Sequence, residues 1–157
     1  MAEGEFALVR QHLEHALGKT ATWVGEHDLY AMLADAAAQQ RDEAALQQYA
    51  PLAEEAAARY DHKLYRAIAH RARGVAHRLK GEYTEAEVRL RQALGLFRGL
   101  DTRWQIGRTL FELGELTRAR GDSTGAREHF ALALAAFGEM KAAPDAARTR
   151  AALEETA

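Results

Sequence analysis

The sequence predicts an all-α fold, a solenoid of antiparallel helix hairpins, and three observations carry that prediction. Seven small or apolar positions recur forty residues apart: Gly74, Gly81, Ala86, Leu90, Ala93, Leu94 and Phe97 are matched by Gly114, Gly121, Ala126, Phe130, Ala133, Leu134 and Phe137. Such a repeat marks one supersecondary unit stacked on copies of itself. Alanine is abundant and proline occurs only twice, at Pro51 and Pro144, which favours helix throughout. Within each unit, apolar residues return at spacings of three and four, the mark of one buried helix face.

Residues 5–18 read as a single helix, the second of a unit, because Gly4-Glu5-Phe6 aligns with Gly81-Glu82-Tyr83 and Leu13, Ala16, Leu17 and Gly18 align with Leu90, Ala93, Leu94 and Gly95. A first hairpin spans 26–60. Tyr30, Leu33, Ala34 and Ala37 mark its first helix, and Arg41-Asp42 replaces the glycine turn. Ala45, Tyr49, Leu52 and Ala53 mark its second helix, after a one-residue deletion. Pro51 falls inside that helix, where a lost hydrogen bond should bend it.

A second hairpin spans 64–100, with Ile68, Ala72, Val75 and Leu79 around Gly74. A third spans 104–141, with Ile106, Leu110, Leu113 and Leu116 around Gly114. Glycine in mid-helix costs roughly 1 kcal/mol relative to alanine, so its place there implies that a neighbouring helix comes close. Gly121 suits a left-handed helix end, and Asp122 or Ser123 can cap the next helix. Pro144-Asp145 suits the first turn of a terminal helix over 144–155.

Composition bounds the function classes. At 157 residues the chain fits one domain, 1–157, able to bury a core without metal or disulfide. A net charge of −2 supplies no global field toward nucleic acid or an anionic membrane. Cysteine is absent, which removes thiol catalysis and thiolate metal sites and fits a reducing cytoplasm. The first residues lack the basic start and apolar block of a signal peptide, and no apolar run approaches the ~18 residues of a membrane span.

A hairpin with a small residue in mid-helix, a Gly-Asp or Gly-Glu-Tyr turn, then Ala, an aromatic or Leu four later and Ala-Leu three beyond that resembles the tetratricopeptide repeat. The unit here is about 40 residues, longer than that family's usual 34. The strings Ala133-Leu134-Ala135-Ala136-Phe137 and Leu94-Gly95-Leu96-Phe97-Arg98-Gly99-Leu100-Asp101 look like the long-unit repeats of bacterial multidomain regulators. The aromatic usual near the end of the first helix is replaced by His77 and Thr117. The resemblance implies a right-handed solenoid whose first helices line a concave face, and a non-enzymatic protein- or peptide-binding role, with a self-associating scaffold as the alternative.

On that implied face the first helices project Asp28, Ala31, Asp35 and Gln39, then Arg71, Val75, Arg78 and Leu79, then Arg108, Phe111, Glu115 and Arg118. Arginine's planar fork binds carboxylates bidentately. Asp35, Arg71, Val75, Arg78, Arg108, Phe111, Glu115 and Arg118 are therefore a candidate groove for an acidic peptide. Asp35, Arg71, Arg78 and Glu115 can instead pair across repeats as a solvated ladder worth little each. At the other end Phe6, Val9, Leu13 and Leu17 lack a hairpin partner, which points to a homodimer or other self-association through that helix.

Other classes find less support, an enzyme with an unrecognised site being the distant alternative. Arg66, Arg71, Arg73, Arg78 and Lys80 form a basic run with His70 and His77 interleaved, but it winds around its helix and no nucleic-acid-reading motif accompanies it. No nucleophile elbow, phosphate loop or dinucleotide fingerprint occurs. The acidic pairs Glu54-Glu55 and Glu154-Glu155 read as solvated. No cofactor or metal is expected: His12 and His15 are three apart and His70 and His77 seven apart, without a histidine-plus-carboxylate metal motif. Chelator treatment is accordingly expected to leave helicity and melting temperature unchanged, and a stoichiometric metal whose removal lowers stability would overturn this.

Overall fold

The computed structural model describes residues 3–19 and 25–156, with side chains for all of these except residues 3–7, 17–19 and 26. They form eight α-helices and no strand: α1 (Glu3–Lys19), α2 (Glu26–Gln40), α3 (Glu43–Arg59), α4 (Lys63–Leu79), α5 (Tyr83–Gly99), α6 (Arg103–Ala119), α7 (Ser123–Glu139) and α8 (Ala143–Glu155). Each helix packs on the next, and α2 also packs on α4. No helix among the described residues is long and apolar enough to cross a membrane.

The junctions between helices share one construction. Arg41, Asp61, Gly81, Asp101, Gly121 and Lys141, twenty residues apart, all take positive φ, between 49° and 82°. At each, the residue's own amide bonds a carbonyl three positions back, and the amide of the following residue bonds one five positions back: Asp42 to Ala37, His62 to Ala57, Glu82 to His77, Thr102 to Phe97, Asp122 to Thr117 and Ala142 to Phe137. This double closure of a helix end satisfies carbonyls that would otherwise be orphaned. The residue that closes one helix also opens the next. Asp42, His62 and Asp122 each accept a hydrogen bond through the side chain, from the amides of Ala45, Tyr65 and Gly125. Thr102 instead turns its hydroxyl back onto the Phe97 carbonyl.

This regular spacing corrects two alignments. No residue is deleted in the first hairpin, so Leu46, Ala50, Ala53 and Ala57 stand where Ala86, Leu90, Ala93 and Phe97 stand forty residues later, and all are buried. Leu52, expected on the buried face, is exposed. Gly4 and Glu5 lie inside α1, which starts at Glu3, forty residues before α3, so they do not make a turn. Pro51 is exposed within α3, and the helix runs on to Arg59.

The mid-helix glycines sit where helices cross most closely. A Cβ on Gly114 would lie 2.5 Å from a ring carbon of Phe130, and one on Gly74 2.7 Å from Leu90 Cγ. Volume is traded across this crossing: glycine faces Leu90 or Phe130 in two units, whereas the first unit places Ala34 with Ala50. Phe97, Phe130 and Phe137 are completely buried, each contributing about 1.5–3 kcal/mol from apolar burial. We expect Gly114→Leu and Ala126→Leu each to destabilise by about 1–3 kcal/mol, because overpacking outweighs the helix propensity gained at Gly114. Thermal unfolding decides this, and a more stable Gly114→Leu would reverse the argument.

Candidate functional site

The first helices of the hairpins, α2, α4 and α6, meet along one inner face with α8, and two carboxylates organise it. Asp35 on α2 accepts from Arg71 on α4 at 2.8 Å. It also accepts both prongs of Arg108 on α6, at 2.9 and 3.0 Å. Glu115 on α6, two units on in the same register, meets Arg118 at 2.7 Å, Arg41 at 3.2 Å and Arg78 at 3.9 Å. Between them the equivalent position is Val75, fully buried. Arg78 donates to Glu112 at 3.0 Å.

Arg71 shows how a charge is held inside. It is 1% exposed, and its guanidinium lies 5.0 Å over the Phe97 ring. Besides Asp35 it reaches the Gln105 carbonyl and Thr109 Oγ1. Burial pushes the group down to about 10, helped by neighbouring Arg108 and opposed by Asp35, so it stays charged at neutral pH. Burial alone would raise the Asp35 carboxyl, but Arg108 and Arg71 together outweigh it and hold the group at about 2. Arg108 stacks over Trp104 at 4.7 Å, and the Trp104 indole N–H donates to Asp145 on α8.

The structure therefore brings Asp35, Arg71, Arg78, Arg108, Glu115 and Arg118 together, but as partners of one another. Val75 and Phe111 are buried and cannot line an open groove. Phe111 packs against Phe130 and lies beneath the Arg148 guanidinium. The alternative of a solvated ladder has the pairing right and the solvent wrong, since α2 and α6 come close enough across α4 to bury the charges. Glu112, Arg41 and Arg148 belong to the same network and were not singled out from sequence. Arg148 lies forty residues after Arg108, which was the signal available.

Elsewhere the basic run of α4 is shared among separate acids: Arg66 with Asp61, Arg71 with Asp35, Arg73 with Glu54 and Arg78 with Glu112. Glu54, expected in solvent, is the half-buried acceptor for Arg89 on α5. His77 meets Glu82 and His70 meets Arg89, while His12 and His15 are exposed. No group of three or more metal-ligating side chains forms among the described residues. In α1, Leu13 packs onto the core and Val9 is exposed. The side chains of Phe6 and Leu17 lie outside those described. Two polar contacts also tie α1 to α3 and its cap, Tyr49 OH to Glu14 and Arg10 to Asp42.

No family model matches the chain, and no curated protein matches it in sequence. Among solved structures it is similar to BtubC (BKLC) from P. vanneervenii, with a TM-score of 0.65 and 17% identity, over 98% of this chain and 72% of that one. At that identity the likeness concerns the helical fold.

Removing the Asp35 carboxylate strands two buried guanidinium groups, so Asp35→Ala should destabilise by about 3–5 kcal/mol. The acid limb should show the same group. Its folded-state pKa lies below the unfolded value of 3.8, so its contribution is present above about pH 4 and is lost as pH falls toward 2. Chemical unfolding across that window checks both, and an Asp35→Ala variant with unchanged acid sensitivity would refute the assignment.

Proposed function

We propose that the eight helices form a right-handed solenoid of the tetratricopeptide kind, and that the protein is a non-enzymatic module binding an acidic protein segment. The forty-residue register, the glycine crossings and the likeness to BtubC support the architecture. The binding surface is the water-facing rim of the inner face, at Arg41, Arg118 and Arg148. Arg71, Arg78 and Arg108 act as scaffold beneath it.

The observation that carries this is a cluster of three guanidinium groups that reach water at the rim. Arg41, Arg118 and Arg148 remain 32%, 34% and 36% exposed. Arg41 and Arg118 share Glu115 with Arg78, Arg118 also meets the exposed Glu155, and Arg148 meets Asp145. The buried Nε of Arg148 has no hydrogen-bond partner. Burial lowers the pKa of Arg148; Glu112 and Asp145 oppose this, while Arg108 and Arg41 add to it. Cations that crowd one another gain when a ligand brings further carboxylates.

The test uses a fluorescent glutamate-rich peptide. Arg118→Glu with Arg148→Glu should abolish its binding while largely preserving the melting temperature, because partly exposed pairs contribute about 0–1 kcal/mol each. Wild-type binding should weaken with salt, since screening acts over about 8 Å at physiological ionic strength. Unchanged peptide affinity in the double variant would refute the rim as the site.

A further inference from the structure

The two joints between successive hairpins are built from different chemistry. Where α5 meets α6, Leu94, Leu110 and Leu113 are buried in one apolar cluster. Forty residues earlier, where α3 meets α4, the same positions are Glu54, His70 and Arg73. A polar group therefore stands at each place where the later joint has leucine.

These residues form a closed arrangement with Arg89 of α5. Arg89 donates to Glu54 at 2.5 Å and approaches His70 Nδ1 at 3.1 Å. Arginine can only donate, so Nδ1 accepts and the neutral ring carries its proton on Nε2. Arg73 lies 3.3 Å from the other Glu54 oxygen. The His70 side chain is 14% exposed.

The charges facing His70 are Glu54 from α3, Arg89 from α5, and Arg66 and Arg73 from α4 itself. Arg66 is already paired with Asp61. The charged groups of α2 and α6, Asp35, Arg108, Glu112 and Glu115, serve Arg71 and Arg78 instead. One carboxylate thus balances two guanidinium groups beside a neutral ring.

We infer that this joint is released by acid: protonation of His70 at Nδ1 expels Arg89 and loosens α2–α3 from α4–α5. The proton comes from solvent and occupies the lone pair that Arg89 was using. The new imidazolium then stands against Arg89 and Arg73 with Glu54 as their shared counter-charge. Burial and Arg89 already lower the pKa of His70, more than Glu54 raises it. Stability is therefore fully present above the ordinary histidine value of 6.5 and falls as pH drops through the folded-state value. The leucine joint of α5 and α6 has no such group.

The test is hydrogen exchange on the full chain, comparing protection at about pH 7.5 and about pH 5.5. It is run in a His62→Asp background, so that the histidine capping α4 does not titrate while a good cap remains. Protection of α3 amides should drop severalfold on acidification, with α6 unchanged; α7 is not used as the reference because burial also lowers the pKa of its own His129. His70→Gln should remove the difference, as should His70→Leu, which copies the later joint. An acid-dependent loss that persists in both variants, or that spreads evenly over all helices, would overturn the inference. So would an NMR titration of His70 with a midpoint above that of an ordinary histidine.

Discussion

Every described helix junction depends on a residue in left-handed conformation placed twenty positions after the last. Because each such residue closes its helix with the same pair of hydrogen bonds, α3 to α7 are all seventeen residues long. Three-residue connections then carry the chain into the next helix in the same register. Without that regularity, Gly74 and Gly114 would not arrive at equivalent crossings, nor Asp35 and Glu115 at equivalent points of the inner face. Glycine fills two of the six junctions. The others use Arg41, Asp61, Asp101 and Lys141, at a cost in local backbone energy that the two closing bonds and the packing of the flanking helices offset.

Packing and electrostatics then divide the molecule. The second helices bury phenylalanine, leucine and alanine against the first helices, and this apolar contact accounts for most of the core. The inner face is held by ion pairs taken out of water. Buried pairs of this kind add little net stability compared with apolar side chains of the same shape, but breaking one leaves a costly unpaired charge. Their effect here is to fix which helix stands opposite which, because only one registration gives Asp35 both Arg71 and Arg108.

Much of the architecture was legible because glycine and phenylalanine are informative residues. A glycine in mid-helix, matched forty residues away and followed by a phenylalanine in the next helix, gave the crossing of α6 and α7 directly. The first hairpin was harder. Its core positions are alanines in an alanine-rich stretch, so Ala50 and Ala57 look like any other alanine, and the larger Leu52 drew the phase one residue off. The inner-face residues could be assigned to that face by helical spacing. Whether water reaches them depends on the approach of α2 to α6 across α4, a distance that no local pattern encodes. Glu112 and Arg41 were missed for that reason, and Glu54 because its partner Arg89 sits thirty-five residues away.

The ion pairs of Asp35 and Glu115 also bear on how the chain acquires its structure. A row of helices in which each touches mainly the next has short-range contacts, can start folding at any point, and tends to fray from its ends. Asp35 to Arg108 and Arg41 to Glu115 span 73 and 74 residues, and so join the first hairpin to the third across the second. A link of that length forms only after the intervening helices are in place. It opposes fraying of the first hairpin from the third during thermal unfolding, leaving α1 outside the linked segment.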